Sequence, residues 1–153
     1  MEPQESNSFL VAHAQHLIDS HLRITGRRLL PAGTGIEMAR ALYQAPFVVL
    51  SHDAGEDPLF TYANRAAQQL FELPWREIVG MPSRFSAEPL ARDERQRLLE
   101  RVASAGYIDD YSGVRIAKSG RRFMIRRATV WNLLDAQGNK TGQAATFSDW
   151  QAL

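Results

Sequence analysis

The chain has no cysteine among its 153 residues. That excludes disulfides, thiolate nucleophiles, iron–sulfur clusters and cysteine-ligated zinc. Long apolar runs are also missing. A stretch such as Phe47-Val48-Val49-Leu50 falls far short of the ~20 residues that cross a bilayer. Lysine is confined to Lys118 and Lys140, so arginine supplies nearly all the positive charge. The 18 basic and 17 acidic side chains leave a net charge of +1, and no whole-molecule field draws the protein toward nucleic acid or an anionic membrane. Met1 to Asn7 is polar and acidic, unlike a signal peptide. These absences predict a soluble, cytoplasmic protein.

What is present suits one packed domain. Hydrophobic residues make up 44% of the chain, enough for a core and too many for disorder. Residues 8–24 carry Leu10, Ala14, Leu17 and His21 at helical spacing, with Ser6 or Ser8 as cap and Gly26 as stop. Thr34-Gly35-Ile36-Glu37 has the pattern of a capping box opening a second helix that runs through Tyr43. Pro46 breaks it. Phe47 to His52 is apolar on both faces, which predicts a strand covered on both sides.

Leu59 to Ala63 is a second strand, and the pattern turns helical at Asn64, a good N-cap. Pro74 interrupts, and Trp75 to Val79 is one short turn. A longer helix is expected from about Glu88 to Ser104. Ser86 is its cap, Leu98, Leu99 and Val102 its buried stripe, and Asp93–Arg97 a surface pair. From Tyr107 the period changes to two. Tyr107–Ala117, Arg121–Leu134 and Gly142–Trp150 read as three strands of an antiparallel meander, joined by turn-forming segments.

This order resembles a PAS domain preceded by two helices. The chain more specifically resembles the MEKHLA domain family, a PAS-like family. The likeness rests on segments spread along the chain. They include Leu42-Tyr43-Gln44-Ala45-Pro46-Phe47, Phe60-Thr61-Tyr62-Ala63-Asn64-Arg65, Pro82-Ser83-Arg84-Phe85-Ser86, Gly106-Tyr107-Ile108-Asp109-Asp110-Tyr111, Ala128-Thr129-Val130-Trp131-Asn132 and Gly142-Gln143-Ala144-Ala145-Thr146-Phe147. The resemblance implies an α+β fold, with a five-stranded antiparallel PAS-like sheet, helices on one face and additional N-terminal helices. Residues 1–45 would be a helical extension and 46–153 the PAS-like domain. It implies a sensory role by analogy and names no cofactor.

Gly80-Met81-Pro82-Ser83-Arg84-Phe85 also looks like the photoactive loop of light-oxygen-voltage flavin domains. There a cysteine forms the flavin adduct and the next arginine holds the phosphate. Ser83 stands at the cysteine position, so thiol photochemistry is excluded. Arg115, Ile125 and Phe147 fall where that family uses polar side chains on its last strands. Arg84 either binds an anion or pairs with a local carboxylate.

Spacing sorts the other candidates. Phe123, Ile125, Arg127, Thr129, Trp131 and Leu133 share one face of a regular strand. Arg127 is then either a pocket anchor for a carboxylate or phosphate, or one half of a salt bridge to Asp109 or Asp149. Gln143, among the small residues Gly142, Ala144, Ala145 and Thr146, either gives a pocket one directed hydrogen bond or sits in an ordinary packed core. His13 and His16 are i, i+3 neighbours without a matched carboxylate, and His52 is a thin candidate haem ligand. Ser51-His52-Asp53 has the letters of a triad, but adjacent strand residues point to opposite faces. Arg121, Arg122, Arg126 and Arg127 are split between two faces, so nucleic-acid binding is not expected.

The reading is a PAS-like sensory or ligand-binding module, not an enzyme, that signals through protein contacts. The candidate pocket residues are Asn64, Ser83, Arg84, Arg127, Trp131 and Gln143. The expected partners are a small-molecule ligand and a second copy or signalling protein, contacted through the amphipathic N-terminal helix. The alternative is a ligand-free homodimeric interaction module.

Overall fold

The computed structural model describes every residue except Ala32 and Glu88, and the side chains of all but these and Pro89, Leu90, Ala91, Arg92, Arg95 and Leu99. A 3-10 segment, Glu5–Leu10, leads into α1 (Val11–Thr25), and α2 (Gly35–Tyr43) follows. Then come β1 (Val48–Asp53), β2 (Phe60–Ala63), α3 (Arg65–Phe71), α4 (Trp75–Ile78), a 3-10 turn at Ser83–Ser86 and α5 (Pro89–Ala105). The chain ends in β3 (Tyr107–Ile116), β4 (Arg122–Leu134), β5 (Lys140–Phe147) and β6 (Asp149–Ala152).

All pairings are antiparallel, in the order β2-β1-β5-β4-β3. The expected five strands are there, and a short sixth continues where β5 stops. β5 pairs with Thr129 to Leu134 of β4, and β6 with Phe123 to Arg126 of the same strand. The single strand expected over 142–150 is thus broken at Ser148, opposite a kink in β4.

That kink corrects the reading of Arg127 and Trp131. Arg127 has φ +51°, and the β3–β4 register shifts on either side of Tyr111–Ala128. Such a bulge inserts a residue and re-aims the side chains beyond it. Phe123 and Ile125 face one side of the sheet. Past the bulge it is Ala128, Val130 and Asn132 that face that side. Thr129, Trp131 and Leu133 turn to the other.

Both faces are covered, which is why β1 has four successive buried residues. On one face, α3 and α4 close over Leu50, Ile125 and Phe147, beside Phe60 and Ala63 of β2, and α5 adds Leu98 and Val102 against Ile108 and Val130. On the other, α1, α2 and the leading 3-10 segment pack Phe9, Ala14, Leu17, Leu42 and Tyr43 against Val49, Tyr62, Trp131 and Leu133. The periodicity of α1 is realised there: Ala14, Leu17 and His21 are buried. Gly26, at φ +76°, closes the helix by donating to Leu22 O. The apolar face that suggested a contact with another protein is occupied by the chain's own sheet.

Some helix starts differ from expectation. Neither Ser6 nor Ser8 caps α1; Ser8, Phe9 and Leu10 are all left-handed, and this turn drives Phe9 into the core. Thr34 holds the N-cap position of α2 without a side-chain capping bond. Ser86 donates its hydroxyl to Ser83 O, 2.7 Å away. In α5, Leu98 and Val102 are buried as expected, Asp93 and Arg97 are exposed, and the side chain of Leu99 lies outside the described residues.

Candidate functional site

Asn64 is the joint of the fold. Its Oδ1 accepts from Val49 N and Ala67 N, both at 3.1 Å, and its Nδ2 donates to Leu42 O at 3.1 Å and Phe47 O at 2.8 Å. One amide thereby caps α3, pins β1 and holds the end of α2. The residue is fully buried, and all four hydrogen bonds are made within the chain. It stabilises the frame and does not line the pocket.

The pocket lies between the sheet and the helices that follow β2. Its floor comes from Leu50 and His52 of β1, Gln143, Ala145 and Phe147 of β5, and Ile125, Ala128 and Val130 of β4. Tyr111 and Arg115 of β3 form one wall. Phe71, Ser83, Ser86 and Leu98 close it from the helical side. The space open to a water-sized sphere is about 80 Å³, small against the ~300–1,000 Å³ of sites for drug-sized ligands. The alanines on the floor explain why there is space: a larger side chain at Ala128 or Ala145 would occupy it.

Ser83 and Gln143 therefore share the cavity, whereas Asn64, Arg84, Arg127 and Trp131 stand elsewhere. Arg84 Nε reaches Asp57 Oδ1 at 3.0 Å, with both side chains roughly half exposed, and the guanidinium lies over Phe85. Arg127 is 81% exposed and pairs with Asp149 at 2.7 Å, one of the two salt bridges expected for it. Trp131 is fully buried under α1. Its Nε1 donates to Ser20 Oγ at 2.9 Å, and the His21 ring meets it edge-on at 4.8 Å.

Gln143 has a defined amide orientation. Asn132 Nδ2 donates to Val102 O at 2.9 Å, and a carbonyl can only accept. Asn132 therefore presents Oδ1 to its neighbour, and Gln143 Nε2 donates to it at 3.1 Å. Gln143 Oε1 is left without a partner, although the residue is only 1% exposed. Unsatisfied buried acceptors are rare and costly, by about 1–3 kcal/mol.

Arg115 is the residue that sequence reasoning missed. It is 7% exposed and lines the cavity. Nη1 donates to Val114 O at 2.9 Å, and Cζ sits 5.3 Å from the Tyr111 ring centroid. No carboxylate among the described residues pairs with it. The signal lay in the alternation Gly113, Arg115, Ala117, which puts an arginine between two small inward-facing residues.

The histidines sort differently. His13 turns inward to Ser51 Oγ at 3.0 Å, which meets Thr61 Oγ1 at 2.8 Å, and its ring lies 5.5 Å from that of Tyr62. Burial, with a smaller contribution from His16, lowers its pKa to about 4. Burial also lowers the pKa of His21, against the opposing effect of the Arg27 carbonyl it bonds. Among the described residues no group of three His, Asp or Glu is arranged to hold a metal ion. No helix among the described residues is long and apolar enough to cross a membrane.

A family profile described as MEKHLA domain matches residues 11–152. The chain belongs to the MEKHLA family. Its fold is that of PAS and light-oxygen-voltage sensory domains. It superposes on the PAS domain of a protein from Colwellia psychrerythraea with a TM-score of 0.65 and 12% identity, over 76% of this chain and 94% of that one. An RNA-binding light-oxygen-voltage receptor gives 0.62 and 18%, over 78% of this chain and 36% of the receptor. A light-oxygen-voltage domain described with a flavin analogue gives 0.57 and 20%, over 76% and 84%. No curated protein matches the sequence.

The residues present do not fit a flavin. Ile125 and Phe147 turn hydrocarbon into the cavity, and Arg84 is engaged by Asp57 outside it. The cavity is also too small for a ring system of that size.

Proposed function

We propose that this MEKHLA chain is a sensory module that binds a small molecule between the sheet and α3–α5, and passes the signal on through protein–protein contacts. The observation that carries the reading is the buried Gln143 Oε1 in the wall of a cavity. An unpartnered buried acceptor costs about 1–3 kcal/mol, and a ligand with a donor removes that cost.

The reading is of binding, not catalysis. Ser86 donates its hydroxyl to Ser83 O, and His52 Nδ1 lies 2.8 Å from Asp53 O. The Ser86 hydroxyl is thus turned to a backbone carbonyl and not to a base. Transmission follows from alternation along two strands. Gln143 lines the cavity and Asn132 holds its amide, while their neighbours Ala144 and Trp131 face α1, where Trp131 holds Ser20 and His21. A ligand that shifts β4 and β5 thus repositions α1, whose outward residues are free to meet a second copy or another protein.

Mass spectrometry of the purified protein under native and then denaturing conditions tests the reading. A stoichiometric small molecule, absent from an Ala128→Leu variant that still folds, is the expected result. A protein that stays at its polypeptide mass after incubation with cell lysate would favour the ligand-free interaction module, to which the small size of the cavity also points.

A further inference from the structure

Arg115 and Gln143 together specify a ligand chemistry. This inference rests on the small-molecule reading above. Arg115 is the sole Arg, Lys, Asp or Glu among the described residues lining the cavity, and only 7% of it is exposed. A buried charge without a counter-charge costs several kcal/mol, and a bound anion removes that cost. A planar guanidinium with most of its donors uncommitted suits a carboxylate. A single positive charge in an apolar cavity balances a monoanion. A dianionic phosphate would leave an excess negative charge there.

The shape follows from the register. Arg115 stands opposite Phe123 on β4 and Gln143 opposite Asn132. The two polar groups therefore lie toward opposite ends of the cavity, with Ile125, Ala128 and Val130 between them. Taking ~10–15 Å³ for each water-sized group, about 80 Å³ holds roughly five to eight non-hydrogen atoms.

We propose that the cavity takes a short linear monocarboxylate, its carboxylate on Arg115, its apolar chain over Ala128 and Val130, and a hydrogen-bond donor at its far end on Gln143 Oε1. Tyr111 and Gly113 position the arginine. A Cβ at Gly113 would come within 2.2 Å of Tyr111 Oη, so the tyrosine folds over this glycine to lay its ring against the guanidinium. Gly113→Ala must displace that ring, whose Oη and Cζ would lie 2.2 and 2.7 Å from the new Cβ, and so loosens Arg115 together with the wall that Tyr111 forms.

The test is a titration of the full chain with three probes, followed by backbone and side-chain NMR: δ-hydroxyvalerate, valerate and pentanediol. δ-Hydroxyvalerate should saturably shift the signals of Gly113, the Arg115 Nε–H and the Gln143 side chain. Valerate, lacking the donor, should bind about three- to tenfold more weakly. Pentanediol, lacking the carboxylate, should bind at least tenfold more weakly, about the worth of one charge-assisted hydrogen bond. Arg115→Met should erase the preference for carboxylate. Arg115→Lys should recover it only in part, and Gly113→Ala should weaken it.

Equal binding of δ-hydroxyvalerate and pentanediol would overturn the carboxylate assignment, and so would its full retention in Arg115→Met. If pentanediol alone bound in the cavity, the small-molecule reading would stand without this inference. Failure of all three probes, with no molecule captured from lysate, would remove both. The wild-type comparison of the probes decides the matter even if a variant does not fold.

Discussion

The two faces of one sheet are finished in opposite ways. Under α1 and α2, large side chains pack around Trp131, while a second cavity lies at the outer side of α1 beside Ser20, Ile24 and Leu134. Most polar groups of this face find partners: Trp131 on Ser20, His13 on Ser51, and Ser51 on Thr61. Its exception, the unbonded Tyr62 hydroxyl, belongs to a ring in contact with His13, Tyr43 and Trp75. Under α3–α5, small residues leave a cavity, and Arg115 and Gln143 bring uncommitted polar groups to its wall. Neighbouring residues on the same strand serve different ends. Trp131 anchors and Asn132 orients Gln143; Ala144 packs beneath α1 and Gln143 faces the cavity. Substitutions under the N-terminal helices should therefore act on stability, and substitutions in the cavity on binding.

The largest effect should come from removing the N-terminal layer. Deleting residues 1–26 strips the cover from Val49, Tyr62, Trp131 and Leu133, all buried in the whole chain. Burial of a single large side chain is worth about 1.5–3 kcal/mol, so exposing these four is comparable to the whole ~5–15 kcal/mol stability of an ordinary domain. The truncated chain should unfold or self-associate, which light scattering and thermal melting would show. A monomer melting like the full chain would mean that α1 is an appendage and that the two faces are not distinguished by packing.

Asn64→Ala comes next. It removes the cap of α3, worth about 1 kcal/mol. It also leaves Val49 N and Phe47 O without their partner at a buried site, at about 1–3 kcal/mol each, while Leu42 O keeps its bond from Ala45 N. A loss near ~4 kcal/mol in urea unfolding is expected from these terms together. A loss under about 1 kcal/mol, the cap alone, would show that the helices are held by packing.

Acid should act on the same face. The folded chain holds the pKa of His13 at about 4, below its ordinary 6.5. Between these values the unfolded chain binds a proton that the folded chain refuses. The stabilising contribution is complete above pH 6.5 and is lost as pH falls toward 4. It amounts to about 3 kcal/mol at ~1.4 kcal/mol per pKa unit. His21, also lowered, adds in the same direction. Urea unfolding at about pH 7 and about pH 5 should show the decline, and His13→Leu should flatten most of it. An unchanged slope in that variant would place the acid-sensitive group elsewhere.

Local chemistry was legible in the sequence, and long-range geometry was not. Asn64 was readable as a cap because strand-forming residues give way to a helical pattern within one step. The three final strands were readable from their period of two, and the double cover of β1 from its unbroken apolar run. Arg127 and Trp131 were misplaced because a bulge is set by pairing with β3, and nothing in β4's own alternation reports it. The β6 break has the same origin. At Arg115 the flavin pattern masked a simpler signal: an arginine between Gly113 and Ala117 must be buried once helices cover that face. Asn64's remaining three bonds depend on where α2 ends and β1 begins, and no local pattern carries that.

The smallest effect should fall on the arginine that the loop motif favoured. Arg84 pairs with Asp57 at the surface, and exposed ion pairs of this kind contribute about 0–1 kcal/mol. Arg84→Ala should therefore change unfolding by less than about 1 kcal/mol and leave the response to δ-hydroxyvalerate intact. Arg127→Ala should do likewise for binding, since its guanidinium points away from the cavity to Asp149. These variants sharpen the contrast, because three arginines of equal charge differ only in whether solvent or the cavity surrounds them. If Arg84→Ala weakened carboxylate binding as much as Arg115→Met, the anion would be held at the loop, and burial would not be what separates the binding arginine from the others.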